Sequence, residues 1–215
     1  VRDEIGRKMS KSLGNSPNPI DLINTVGADA LRFSMIFGTP KGADVIFSES
    51  ILETGRNFAN KMWNAYRFIM MNAENIQGLP DESELQLELA DKWIISRLQE
   101  VTIEVRAHYE NLRFNDAATE IFKFMWDEFC SWYIELSKDR LNPSAEKESR
   151  LTAKYILLNV MQQGMRLLHP IMPFITEEIW QGIKKIFPLK EEALIIAAFP
   201  EADETLIDNE INNNM

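Results

Sequence analysis

The chain has 215 residues, 45% of them hydrophobic, with 12 Phe, 10 Met and 5 Trp; that is enough to close a core and argues against disorder. Its net charge of −10 excludes a uniformly basic nucleic-acid binder. No apolar run approaches the roughly 18 residues of a membrane helix, no secretory signal pattern opens the chain, the single Cys130 excludes an internal disulfide, and His108 and His169 are too isolated for a zinc cage.

A reducing cytoplasm is the expected setting, and the start at Val1 within a polar run reads as a piece of a longer protein. The charge is unevenly spread. Residues 1–75 hold nine Lys and Arg against eight Asp and Glu, a net of +1, and residues 76–215 hold 14 against 25, a net of −11. Any polyanion should therefore meet the first third.

Residues 1–19, rich in Lys, Ser, Gly, Asn and Pro, are expected to form an exposed loop. Two short helices follow, Ile20–Val26 and Ala28–Phe37, opened by Pro19 and separated by Gly27. Thr39-Pro40-Lys41-Gly42 is a turn. From Ser48 the pattern becomes long helices with short links. The first spans Ser48–Ala73, with Ile51, Phe58, Met62, Tyr66, Ile69 and Met70 on one stripe, and Gly78-Leu79-Pro80 breaks it. The second, Glu88–Asn111, turns Trp93, Ile94, Leu98, Val101 and Val105 inward. A third starts at Asn115 or Asp116 as cap and runs to Leu141. It is apolar nearly all round (Ile121, Phe122, Met125, Trp126, Phe129, Trp132, Tyr133, Leu136), which predicts the most enclosed helix of the set. Trp126, Phe129, Trp132, Tyr133 and Trp180 are expected in the core, Cys130 as a small buried residue and His169 at a helix end. A fourth helix covers Ala145–Leu168 and a fifth Pro173–Ile186. Leu194–Phe199 fits a strand or a packed extension, and residues 201–215 a frayed tail or the start of a connector. The expected fold is mainly α, an up-and-down antiparallel helix bundle preceded by a loop and short helices. The chain divides into 1–42, 43–200 and 201–215.

Lys8-Met9-Ser10-Lys11-Ser12-Leu13-Gly14-Asn15 is the most specific string. Two lysines bracketing Met and Ser on a loop can bring two ammonium groups to a polyphosphate whose oxygens gain charge as an anhydride bond breaks. Gly14 allows a tight turn, and Ser10, Ser12 and Asn15 can fix a closed loop by hydrogen bonds. A solvated basic linker would also fit these residues alone. Along the helix of residues 48–73, Asn57, Lys61, Asn64 and Phe68 fall at i, i+4, i+7 and i+11 and share a face, with Asn60 and Arg67 beside them. Amides can pair with base edges, cations can hold phosphates, and a Phe on a polar face can stack an unpaired base. A solvated face with Phe68 tucked against a neighbour fits as well. Arg56 is a weaker candidate.

Lys8 to Phe33, with Asp21 and Gly27-Ala28-Asp29-Ala30-Leu31-Arg32-Phe33 at their spacing, resembles the second catalytic signature of class I aminoacyl-tRNA synthetases of the valine, leucine and isoleucine group. Arg56–Ala65, Trp126–Tyr133 and Leu168–Trp180 are similar to the valyl wording. The resemblance implies the anticodon-binding helical bundle of that family over residues 43–200, behind the end of the catalytic domain. It implies ATP binding by Lys8, Met9, Ser10, Lys11 and Ser12, with Lys8 and Lys11 catalytic in neutralising the leaving pyrophosphate. It also implies tRNA binding by Asn57, Asn60, Lys61, Asn64, Arg67 and Phe68.

The parent would be a valine–tRNA ligase using ATP with Mg²⁺ as its substrate complex. Its partners would be valine tRNAs and the upstream catalytic and editing domains; no membrane is involved and a monomer is expected. The family's His-Ile-Gly-His signature does not occur here, so this chain alone is expected to be inactive and to hold no cofactor or metal. The alternatives are an isoleucyl or leucyl enzyme, or, in another class, a stand-alone RNA-binding or scaffold bundle.

Overall fold

The computed structural model describes residues 1–73 and 80–215. The expected helix break at Gly78-Leu79 lies outside them. The elements are α1 (Pro19–Val26), α2 (Ala28–Phe37), α3 (Glu49–Ala73), α4 (Leu89–Glu110), α5 (Phe114–Lys123), a π-helical segment (Phe124–Tyr133), α6 (Ile134–Leu141), α7 (Lys147–Leu168), α8 (Pro173–Ile183) and α9 (Asn209–Asn214). Short 3-10 turns occur between them. Among the described residues no strand forms; Arg2 makes isolated bridges to Lys8 and Ile46. The mainly α antiparallel bundle read from the sequence is the fold found.

Local chemistry explains the helix ends. Asn18 accepts the amide of Ile20 at 3.1 Å and Pro19 opens α1, while Gly27, at φ +91°, makes the corner before α2. Glu88 and Asp91 form a reciprocal capping box on α4. The third helix begins at Phe114 rather than at an Asn115 or Asp116 cap. Leu112 takes a left-handed conformation (φ 56°), Arg113 N–H closes onto His108 O at 2.8 Å, and the chain re-enters a helix at once. The Asn115 amide instead reaches Phe37 O at 3.4 Å, tying this helix to α2.

Five expected inward residues of α4 (Trp93, Ile94, Leu98, Val101, Val105) are buried. The third helix departs from expectation. Its middle widens into π geometry, which retards the rotation per residue. Phe129, Cys130, Tyr133 and Ile134 then face the core, while Trp132 and Leu136 are turned out, 63% and 46% exposed. Trp126 is only partly buried. The most enclosed helix is α7, with 13 of its 22 residues buried, because α3, α4, α5, α6 and α8 all pack on it.

Leu194–Ile196 forms a 3-10 turn and not a strand. Residues 201–215 lie along α4: Asp203 N–H donates to Gln99 at 2.9 Å, Asp208 N–H to Ser96 at 2.8 Å, and α9 packs beside them. A buried polar knot ties α4 to α6, where Asp91, 0% exposed, accepts from Tyr133 Oη at 2.6 Å and from Arg140 Nη1 at 2.7 Å. At the opposite end Asp29 of α2 caps α8 by accepting from Ile175 N–H at 2.6 Å, and Arg32 donates to Ile171 O at 2.9 Å. The short helices after the N-terminal loop are thereby fixed to the bundle.

Candidate nucleic-acid interface and phosphate-binding loop

The loop is closed by its own side chains. Asn15 accepts Ser10 N–H at 2.9 Å and donates to Asp3 at 3.0 Å; Ser10 Oγ accepts Leu13 N–H at 3.3 Å and lies 3.2 Å from Ser12 Oγ. Lys11–Leu13 make one 3-10 turn, and Gly14 at φ +66° reverses the chain where a Cβ would be strained. The Asn15 hydrogen bond, aided by Arg7, holds the Asp3 carboxyl below its ordinary value. Lys8 and Lys11 are exposed, and among the described residues neither has a carboxylate within ion-pair distance. Met9 instead turns toward a cleft of about 800 Å³ that it shares with Asp3, Asn15, Leu22, Leu52 and Arg56. The geometry thus presents two free ammonium groups on a braced turn beside an open cleft.

The α3 face divides in two. Asn57, Asn60, Asn64 and Arg67 are exposed. Lys61 is half-buried: its Nζ donates to Ser131 Oγ at 2.8 Å and lies 4.3 Å from the centre of the Trp126 ring. Phe68 is half-buried against the core, with Lys138 Nζ 5.9 Å from its ring. The pairs 61–131 and 68–138 lay the π segment and α6 alongside α3, running the same way. Ser131 and Lys138 thus border the face, although nothing in the α3 sequence points to them. Ser131 accepts from Lys61 while donating to Trp126 O five residues back at 2.8 Å, a bond that the wider π turn makes available. Cys130, buried beneath, has its thiol pushed up to about 12 by burial despite the nearby Lys61 charge, so it is no nucleophile.

A family model described as the anticodon-binding domain of tRNA ligases matches residues 91–215, more than half of the chain. The chain belongs to this anticodon-binding family. A second model, tRNA synthetases class I (I, L, M and V), matches residues 1–48, which include the Lys8–Asn15 loop. The α3 face lies between the two matched stretches. Valine–tRNA ligases span it: that of Fusobacterium nucleatum is 51% identical over the whole chain, that of Dehalococcoides mccartyi strain CBDB1 44% and that of Pseudothermotoga lettingae 42%. The chain spans about a quarter of the length of these relatives, 24% in each case.

Among solved structures, the LeuRS–tRNA–LeuAMS complex of Agrobacterium radiobacter K84 aligns over 96% of this chain and 23% of its own, with a TM-score of 0.70 at 23% identity. The methionyl-tRNA synthetase of Mycobacterium tuberculosis, bound to methionyl-adenylate, aligns over 83% of this chain and 36% of its own, at a TM-score of 0.71 and 24% identity. Both likenesses concern the fold. Among the described residues, no helix is long and apolar enough to cross a membrane.

Proposed function

We propose that the chain is the part of an ATP-dependent valine–tRNA ligase that carries its phosphate-binding loop and grips the tRNA anticodon. The observation that carries this reading is the braced loop with two lysines that have no carboxylate partner among the described residues, joined to an amide- and cation-bearing face. From the loop the chain runs through α1 and through α2, whose Asp29 and Arg32 bond the start of α8, to the face of α3. In the assembled enzyme Lys8 and Lys11 lie against the β- and γ-phosphates, while Met9, Ser10 and Ser12 shape the turn around the nucleotide and its Mg²⁺. As the amino-acid carboxylate attacks the α-phosphate, the two ammonium groups offset the charge gathering on the departing pyrophosphate. Asn57, Asn60 and Asn64 offer amides to base edges, Lys61 and Arg67 their charge to phosphates, and Phe68 its ring edge to a base.

Valine as substrate, rather than isoleucine or leucine, is supported by the wording of the relatives that span the chain. The division at residues 42 and 200, the valine tRNAs as partners and a monomeric, cytoplasmic parent belong to the same proposal. The test is Asn64→Ala combined with Phe68→Ala in the full-length ligase. Charging of valine tRNA should lose kcat/KM by well over threefold; a smaller loss, under about 1 kcal/mol, moves the anticodon site elsewhere. The 215-residue chain alone should show no valine-dependent ATP–pyrophosphate exchange, and detecting it would contradict the assignment of the missing half-site to the upstream domain.

A further inference from the structure

Two stretches far apart in the sequence, residues 27–33 and 168–180, meet in the fold as a clamp. Asp29 of α2, 7% exposed, accepts the Phe174 and Ile175 amides at 3.3 and 2.6 Å, free donors in the first turn of α8. Arg32, one turn further along the same face of α2, donates Nε to Ile171 O at 2.9 Å and Nη2 to Pro170 O at 3.0 Å. A carboxylate on the amide-bearing start of α8 and a guanidinium on the carbonyls of the corner before it define one placement of α2, since exchanging them would set like partial charges together. Behind the clamp, Ala30 lies backbone to backbone on Gly55 of α3, and Phe33 is fully buried with its ring centroid 5.0 Å from that of Phe58. α2 is thus held as part of the bundle.

The loop of Lys8 and Lys11 is held less directly. On its upstream side Arg2 exchanges backbone hydrogen bonds with Val45 and Phe47 at 2.7 and 2.9 Å. The accompanying Arg2–Asp44 pair has side chains 44% and 58% exposed, where an ion pair contributes little. On its downstream side the chain enters α1, every residue of which is at least partly exposed and whose Leu22 and Val26 line the cleft with Met9 and Asn15. Gly27 bonds α1 to α2 at the corner: its N–H donates to Ile23 O at 2.9 Å and its carbonyl accepts Leu31 N–H at 3.2 Å. The downstream end of the loop therefore takes its place from α1, α1 from α2, and α2 from Asp29 and Arg32.

We propose that Asp29 and Arg32 are positioning residues for the reaction, holding Lys8 and Lys11 where charge gathers on the departing pyrophosphate. This rests on the phosphate-binding reading of the loop given above and adds to it two residues that touch no nucleotide. Charges aimed at an anion that develops only in the transition state act on kcat more than on substrate binding. A slackened clamp therefore slows the chemical step and leaves the hold on valine unchanged.

The test is a double-mutant cycle in the full-length ligase, read by valine-dependent ATP–pyrophosphate exchange. Arg32→Ala and Arg32→Lys are each made in the wild type and in Lys11→Ala. Arg32→Ala should lower kcat by about 10-fold, within the roughly 100-fold that an ångström of misplacement costs, with the KM for valine unmoved. Arg32→Lys, which reaches one carbonyl but not both, should lose roughly 3-fold. In the Lys11→Ala background both losses should shrink toward none, because the group being positioned is already gone. A change at Arg32 that only weakened the fold would cost as much in either background. Unchanged exchange by Arg32→Ala, a loss carried by the KM for valine, or equal losses with and without Lys11 overturns the inference. If Arg32→Ala does not fold, the Arg32→Lys pair decides by the same comparison. If Lys11→Ala lowers exchange and Arg32→Ala does not, only this inference fails. If Lys11→Ala itself leaves exchange unchanged, the phosphate-binding reading fails with it.

Discussion

Gly55 of α3 is the point at which the short helices and the bundle come closest, and replacing it with alanine probes that junction. A Cβ built on Gly55 would sit 2.5 Å from Ala30 O, 3.1 Å from Ala30 Cα and 3.2 Å from Ala30 C, where ordinary contact begins at 3.4 Å. The obstructing atoms are α2 backbone, so no side chain can rotate away. Relief requires α2 and α3 to part by most of an ångström, while Ala30 and its neighbour Phe33 are buried and Asp29 and Arg32 pin α2 to α8. Overpacking of this kind costs up to about 3 kcal/mol. Replacing a mid-helix Gly by Ala returns about 1 kcal/mol of helix propensity. The net loss of about 2 kcal/mol corresponds to a Tm lower by roughly 4–8 °C in a chain of this size. The assay is thermal unfolding by circular dichroism, with Asn60→Ala on the exposed side of α3 as control, which should melt at or slightly above wild type. A Gly55→Ala variant that melts higher than wild type would refute the close approach of α2 and α3, because only the propensity gain would then be acting.

Asp91→Asn removes the charge that faces Arg140, whose side chain is 10% exposed and whose remaining partners are Glu88 and Ser149. Stripping one member of a buried pair costs about 3 kcal/mol or more, so the Tm should fall by at least about 6 °C; a shift under 2 °C would show that the knot contributes little. His169 gives a pH signature. Thr176 Oγ1 donates to Met172 O and so accepts from His169 Nδ1 at 2.7 Å, leaving Nε2 bare and buried with no partner among the described residues. Burial holds the imidazole below its ordinary 6.5, against the opposing pull of Glu177 and Asp29. The unfolded chain therefore takes the proton first. This contribution to stability is complete above about pH 6.5 and declines as the pH falls through the lower folded value. With only two histidines in the chain, an NMR titration reads this directly; a His169 midpoint at or above 6.5 would contradict it.

Helix positions were legible because Pro19, Gly27, Pro143 and Pro173 punctuate strong apolar periods, and the closed shape of the Lys8–Asn15 loop because Ser10, Ser12 and Asn15 bond within it. What the sequence hid has a common physical origin. From Ile121 to Leu136 apolar residues occur on every side, so an α and a π register bury comparable surfaces and periodicity cannot choose between them. The choice falls to partners distant in the chain, Lys61 on Ser131 and Asp91 on Tyr133, and with it goes the exposure of Trp132. The docking of residues 201–215 likewise depends on Ser96 and Gln99, more than 100 residues earlier. Asn115 looked like a cap because local spacing does not report that Phe37 O needs a donor. On α3 the spacing sets Asn57, Lys61, Asn64 and Phe68 along one side of the helix, but could not say that Lys61 and Phe68 are already engaged by the neighbouring helix.

The central claim, that this bundle holds a valine tRNA by its anticodon, is tested most directly by equilibrium binding of the chain to valine tRNA and to the same tRNA with its anticodon replaced, over a series of salt concentrations. The account predicts binding that weakens steeply with salt and by about 10-fold or more on anticodon replacement. Equal affinity for the two tRNAs, or no binding at low salt, would contradict it.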